Sequence, residues 1–490
     1  MQNFKLSEIL KKYWLVIFLI FYIPVSYFIY GHAKLFDDNY IYLQYAKHFI
    51  ENKELSFNLG EKSYAFTSPL WLLFYVILYP FMSPELIPVL LSTIFSILTI
   101  ILCYYFLNDS FKNKLTLFIS LLIISFDPNF LKHAFNGMET SFTYFLSYLI
   151  LLGIIYSGKI KNNYFMGAIF GIFLLVRPES GLLSILTIIY LLFSRKIGLK
   201  GVIQILVSGL IIVLPWIIFT YLYMGKLLPD TFGAKGGDYT LGLNLFKNLI
   251  SIARIFAGNY FPIFILALIF ITKTPKFFKK EELKNMIIFL VVGMYILFYS
   301  VIFNNDIIYA RYLCVIFPFF IMSFISFAEF SLPDVRKLNI ALASVFMILL
   351  ITGFTISRMD KVMVGNYSRT EKEIINWVNN NTSKDSYITR ARIGEIGFKT
   401  QRRIFDLMGL INRDIAGYYN SNKITDYYLL KKPDYLIGVD DNIVESLKPF
   451  AQVNLLKEYK MDYRYLLRQK LSGSESRYDT IKVYKVDWFK

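Results

Sequence analysis

Charge is scarce in this sequence: Asp, Glu, Lys and Arg make up 18% of its 490 residues. With 56% hydrophobic residues, 18% aromatic residues and a mean hydropathy of +0.49, the chain is too apolar for a soluble protein of several domains. Cysteine is rarer still. Cys103 and Cys314 both sit inside apolar runs, a pattern that excludes a disulfide framework and a thiolate metal site and leaves them as packing residues. His32, His48 and His133 lack metal-ligand spacing and suit interfacial positions. There is no internal repeat, low-complexity tract or Gly/Ser linker.

Acids are outnumbered, with 35 Asp and Glu against 52 Lys and Arg and a net charge of +17. In a soluble chain that excess would suggest nucleic acid. Here much of it falls in short loops between apolar runs, where the positive-inside rule accounts for it without a nucleic-acid partner. Apolar runs near the roughly 20 residues needed to span a bilayer recur from Tyr13 to Ile356 and then stop. The expected class is a polytopic α-helical membrane protein over residues 1–357, followed by a small soluble α/β domain over 358–490. Lys5, Lys11 and Lys12 precede the first run without a small-residue cleavage site, as in an uncleaved anchor.

Basic short loops at Asn108 to Lys114, Gly158 to Asn163, Ser194 to Lys200, Lys273 to Asn285 and Ser331 to Lys337 belong on the cytoplasmic side. That assignment leaves one apolar run too many. Pro69 to Phe81 is the shortest, so it is expected as a re-entrant or juxtamembrane helix, with residues 31–84 forming one large outer loop. About 11 transmembrane helices result, and the C-terminal domain lies on the outer face. A twelve-span alternative would put that domain in the cytoplasm.

This parity collects the unusual polar residues on one face. Asp37 and Asp38 follow the first span, Asn136 and Glu139 enter a later one, and Arg177 and Glu179 flank Pro178 between two short helices. Lys226, Asp230 and Lys235 lie in MGKLLPDTFGAKGG, and Arg311 opens another span. Ionisable groups at membrane depth are costly and mark sites. Each also has a plainer reading. Asp37 or Asp38 would cap a helix from about Asn39 to Glu51; Arg177-Pro178 would be a hinge; Lys226 and Lys235 would be solvated loop charges; Glu139 would be an interfacial cap. The 37 tyrosines and 47 phenylalanines suit lipid-facing and belt positions.

The order of motifs resembles the GT-C superfamily of integral-membrane glycosyltransferases, which use polyprenyl-phosphate sugars. DDNYIYLQYAKHFIENKELSFNLGEKSYAFTSPLW is similar to the first outer loop of the bacterial branch that contains the mycobacterial terminal β-arabinofuranosyltransferase. NGMETSFTYFL, LLVRPESGLL, MGKLLPDTFGAK, ARYLCVIFP and IGEIGFKTQRRIFDLMGL follow in the same order, so the resemblance covers most of the chain.

Glycosyl transfer needs a base for the acceptor hydroxyl and cations around the leaving phosphate. The resemblance implies that Asp37 or Asp38 is that base in a direct, inverting displacement, with Asp37 at the family's usual acidic position. Arg177, Lys235 and Arg311 are the candidates for the donor phosphate. Glu139, Glu179, Asp230 and Tyr64 are the candidates for substrate hydroxyls. A divalent metal serves some superfamily members and not others. The implied partners are a polyprenyl-phosphate hexose or pentose, an envelope glycan, lipid or protein acceptor, and the lipids of a bacterial cytoplasmic membrane. Two further classes fit parts of the pattern: a transporter or flippase of lipid-linked sugars, and an envelope glycan polymerase or ligase. A transporter would place charge at the midplane and on both faces, with repeat symmetry.

In the C-terminal part, Ser368 to Glu371 has the capping-box pattern ahead of Ile374, Ile375 and Val378 and predicts a helix start. Short β-rich runs are expected at Ser386 to Thr389, Arg403 to Leu407, Asp434 to Ile437 and Thr480 to Val486, and a helix near Thr425 to Lys431. Gly394, Gly397 and Gly409 predict turns.

Overall fold

A computed structural model of the chain describes residues 2–31, 35–108, 111, 113–227, 229–231, 244–269, 282–302, 310–412, 414–420, 423–460 and 480–489. Among the described residues the apolar part is mostly helical. Helix α1 (Gln2–Tyr30) leads into α2 (Asp37–Asn52) and the short α3 (Pro69–Leu78). Then come α4 (Leu86–Leu107), α5 (Lys114–Ser125), α6 (Pro128–His133) and α7 (Thr140–Tyr148), which continues as a π-helical segment to Tyr156. The bundle is completed by α8 (Asn163–Val176), α9 (Ser180–Phe193), α10 (Leu199–Met224), α11 (Leu245–Ile269), α12 (Glu282–Ile302), α13 (Phe317–Ser331) and α14 (Val335–Asn381). Among the described residues five of these are long and apolar enough to cross a membrane, and seven shorter apolar helices accompany them.

The packing is that of helices in lipid. Outward faces carry bare apolar side chains such as Phe28, Leu206, Ile211 and Ile351. Where two backbones touch, glycine replaces them: Gly167 and Gly171 of α8 lie against Ile205, Ser208 and Gly209 of α10, so closely that a Cβ at Gly167 would run into the Ile205 carbonyl. Small residues at four-residue spacing permit this approach. Helix α11 is broken at Tyr260 (φ −125°, ψ 18°), two residues before Pro262, whose missing N–H cannot continue the ladder.

The expected short helix at Pro69 is present. It starts with Pro69 in the first turn and packs on α2, α4 and α8 through buried Trp71, Leu72 and Tyr75. Three local expectations need correction. Helix α2 begins at Asp37, not Asn39, and neither aspartate caps it: its N-cap is Phe36, with no side-chain cap bond. No helix starts at Ser368, because α14 runs unbroken for 47 residues from the bundle into the C-terminal domain. Glu371 is buried instead in an ion pair with Arg390, 2.5 Å. Gly394 and Gly397 are not turns but lie in a helix, while Gly409 does turn the chain, at φ 73°.

The C-terminal domain folds as β1 (Tyr387–Arg390), α15 (Gly394–Thr400), β2 (Arg403–Asp406), α16 (Ile415–Asn420), α17 (Ile424–Lys431), β3 (Tyr435–Ile437), α18 (Asp441–Leu447), β4 (Ala451–Lys460) and β5 (Thr480–Trp488). Its sheet has the order β2-β1-β3-β5-β4, parallel from β2 to β3 and antiparallel beyond. One face packs a core of Phe405, Tyr427, Tyr428 and Leu436. The other, with Ile388, Ile404, Ile437 and Val483, joins the main core through Ile374 and Val378 of α14. The domain is therefore seated on the bundle.

Candidate active site

The loop between α1 and α4 is built around one tight turn of the neighbouring segment. Gly137 has φ +81°, and a Cβ there would collide with Pro88, so only glycine fits the Asn136-Gly137-Met138-Glu139 bend. Three buried side chains read its backbone. Asn39 Nδ2 donates to the Asn136 carbonyl (2.8 Å), Trp71 Nε1 to the Gly137 carbonyl (3.2 Å), and the Tyr75 hydroxyl to the same Gly137 carbonyl (3.1 Å). These bonds explain the Thr-Ser-Pro-Leu-Trp stretch: it brings Trp71 and Tyr75 onto the bend that carries Glu139.

Glu139 then meets Arg177. Their ion pair is 2.9 Å long, and the same guanidinium holds Glu179 at 3.0 Å. Arg177 ends α8 in an extended conformation, as a residue before proline prefers. The Tyr299 hydroxyl donates to Glu179 Oε1 (3.2 Å) and that of Tyr295 to the Glu179 carbonyl (2.8 Å). Arg177 is 6% exposed, and two carboxylates already satisfy its charge. The predicted phosphate ligand Arg177 and the predicted sugar ligands Glu139 and Glu179 thus lie in one ion-pair network.

Asp37 and Asp38 diverge. The Asp38 carboxylate pairs with Arg311 at 2.7 Å, with side chains 38% and 17% exposed respectively. Asp37 turns the other way, onto the C-terminal domain, where Oδ2 accepts from the Gly394 amide (3.0 Å) and Oδ1 from the Glu395 amide (2.9 Å). A Cβ at Gly394 would strike the Asp37 carbonyl. Burial pushes the Asp37 carboxyl above its ordinary value, opposed chiefly by the Arg392 guanidinium and then by the two amides. Arg392 was missed in the sequence, although an Arg-x-Arg precedes the IGEIGF motif directly.

The other predicted ligands are placed apart from these pairs. Asp230 is fully buried, bound to Lys226 (2.7 Å), and its Oδ2 accepts from the Tyr64 amide (3.0 Å). The Asp230 amide donates back to the Tyr64 carbonyl (2.8 Å), and the Tyr64 hydroxyl accepts from Trp216 Nε1 (2.8 Å). This is a staple between the loop and α10. Lys235 lies outside the described residues, as does His32. Among the described residues no group of three His, Cys, Asp or Glu is arranged to hold a metal ion. Asp38, Glu139 and Glu179 each face an arginine, which opposes a dication in the same place.

Residues 70–219 match the model of the dolichyl-phosphate-mannose-protein mannosyltransferase family, and residues 361–484 match a domain family of unknown function, DUF8728. Among solved structures the chain is similar to ArnT from Cupriavidus metallidurans. In the apo state the TM-score is 0.61 at 11% identity, over 97% of this chain and 98% of that one. Bound to undecaprenyl phosphate, it is 0.59 at 11% identity, over 96% and 98%. The chain therefore has an ArnT-like fold over nearly its whole length. No curated protein matches it in sequence. That likeness runs through bundle and C-terminal domain alike.

Proposed function

We propose that this protein is a GT-C glycosyltransferase that transfers a sugar from a polyprenyl-phosphate donor to an envelope glycan, lipid or protein acceptor, inverting the anomeric carbon. The reading places it in a bacterial cytoplasmic membrane, with the aspartate pair and the C-terminal domain on the outer face. The observation that carries it is the Asp38–Arg311 pair: a carboxylate and a guanidinium in contact at 2.7 Å and partly exposed.

The sequence position favours Asp37 as the base, but both of its oxygens accept backbone amides, so we assign the base to Asp38. An Asp38 oxygen takes the proton of the acceptor hydroxyl as that oxygen bonds to the anomeric carbon. The bond from that carbon to the phosphate oxygen breaks, and its electron pair stays on the polyprenyl phosphate. Arg311 turns from Asp38 to the phosphate as the negative charge grows there. That turn also frees the carboxylate to accept a proton. Undecaprenyl phosphate bound to ArnT of the same fold supports a polyprenyl-phosphate donor.

The test is reconstitution of the purified chain with a bacterial polyprenyl-phosphate-sugar extract and envelope acceptors. Acceptor-dependent release of polyprenyl phosphate is expected. Translocation of the intact lipid-linked sugar without cleavage would overturn the reading in favour of a flippase.

A further inference from the structure

A cavity of about 1260 Å³ is lined by α1, α4, α5 and α14 and runs from Trp14, Asn108 and Lys114 to Val25, Phe126 and Leu350. Trp14 lies about 24 Å along α1 from the end that leads to the aspartates. The cavity follows α1 for about 16 Å and α5 for about 18 Å, the depth of one bilayer leaflet. It opens sideways, where Phe21, Val25 and Phe118 are exposed. Its walls are aromatic: the Trp14 ring is 4.8 Å from that of Tyr104, and the Phe18 ring meets Phe118 edge-on at 5.9 Å. One end is polar and positive. Lys114 Nζ donates to the Asn108 carbonyl (3.2 Å) and to Asn108 Oδ1 (2.9 Å). Both oxygens are neutral, so the ammonium keeps its charge and a third N–H for another acceptor. Lys114 also opens α5, where Asn113 already caps the Leu115 and Thr116 amides. That is the positive end of the helix dipole, which disfavours a cation and favours an anion. Beside Leu115, a smaller cavity carries Arg336, a second cation at the same end.

We infer that this cavity is a binding site for an anionic membrane phospholipid, whose acyl chain fills the aromatic groove and whose phosphate sits on Lys114. The inference goes beyond the glycosyltransferase reading and does not depend on it. The sideways opening faces hydrocarbon, which excludes a soluble metabolite. The depth suits one leaflet, whereas a polyprenyl tail is much longer, and its phosphate belongs, on the reading above, with Arg311 at the other end of the bundle. The charge selects the headgroup. A lysine at the edge of hydrocarbon gains most from an anion, and a zwitterionic lipid, which carries its own ammonium, gives it less. Trp14 stands at the same level, as interfacial tryptophans do. In the orientation proposed above this end lies in the cytoplasmic leaflet, where anionic lipids concentrate.

The test measures binding of phosphatidylglycerol, phosphatidylethanolamine and undecaprenyl phosphate to the delipidated full chain by native mass spectrometry. It compares wild type, Lys114→Gln, Lys114→Arg and Val25→Trp, the last adding a ring to the groove from an exposed position. Thermal unfolding without added lipid checks that each variant folds as wild type. Wild type should prefer phosphatidylglycerol. Lys114→Gln should weaken that binding about 5- to 10-fold and abolish the preference over phosphatidylethanolamine, while Lys114→Arg keeps both. Val25→Trp should weaken both phospholipids, and undecaprenyl phosphate should bind all four proteins alike. Wild-type phosphatidylglycerol binding by Lys114→Gln overturns the inference. Weaker undecaprenyl phosphate binding in Val25→Trp, with phosphatidylglycerol unaffected, would give the groove to a polyprenyl tail and overturn it as well. Undecaprenyl phosphate binding to none of the four would count against the donor reading, and the phosphatidylglycerol result would still decide this site.

Discussion

Two arginine–carboxylate clusters stand near each other in this molecule, and they differ in how much water they see. Arg177 is closed in by Glu139 and Glu179, two tyrosines and the walls of α7, α9 and α12. Arg311 meets Asp38 at the rim, where more than a third of the aspartate side chain is exposed. The distances are nearly equal, so contact geometry does not separate them. Burial does. A buried pair is costly to break and holds its neighbours in place, whereas a half-open pair can exchange a partner for substrate.

The variant that tests this difference most severely is Asp38→Asn. It keeps the shape and removes the base, so transfer should fall about 10²- to 10⁴-fold while the protein inserts and purifies as wild type. Product formation in isolated membranes checks it, and loss of the folded protein instead would erase the distinction between the clusters. Arg177→Gln should behave in the opposite way. It leaves buried Glu139 and half-buried Glu179 without their cation, a loss of roughly 3–5 kcal/mol. Thermal unfolding in detergent should show the drop, and unchanged stability would mean that Arg177 is a ligand after all.

Asn58→Ala probes the docked domain. It leaves the Ile404 amide and carbonyl without their side-chain partner, at a cost of about 1–3 kcal/mol. Faster proteolysis between α14 and β2 should follow, with the bundle intact. Asp406 supplies the smallest effect and a third kind of acid, buried but held by backbone amides, among them Met408 and Ile411. Burial raises its carboxyl to about 6. Because the folded value exceeds the unfolded one, near 3.9, its contribution to stability is present below about pH 4 and is lost as pH rises to about 6. Intrinsic-rate-corrected hydrogen-exchange protection of the Met408 and Ile411 amides should decline over that interval, and Asp406→Asn should flatten the decline.

Much of this architecture is written in local pattern. The short helix at Pro69, four of the five strands and the helix near Thr425 follow from run length, β-branched residues and turn chemistry. Strand β4 was missed because most of its side chains face solvent, so QVNLLKEYK has no alternating buried face. Ser368 misled because a capping box is a local signal, and the packing of Ile374 and Val378 overrides it within a continuous helix. In the site, residue types were legible and partners were not. Asp38 and Arg311 are 273 positions apart, and Glu139 and Arg177 are 38 apart, distances over which no spacing rule operates. The Asp37 contact was the hardest to foresee, since its partners are backbone amides that any sequence carries.

The division of labour between the two aspartates is tested most directly by rescue of a deletion strain with Asp37→Asn or Asp38→Asn, followed by glycan and lipid profiling of the envelope at matched protein levels. The account predicts that Asp38→Asn restores none of the missing sugar and that Asp37→Asn restores part of it. Full restoration by Asp38→Asn would contradict it.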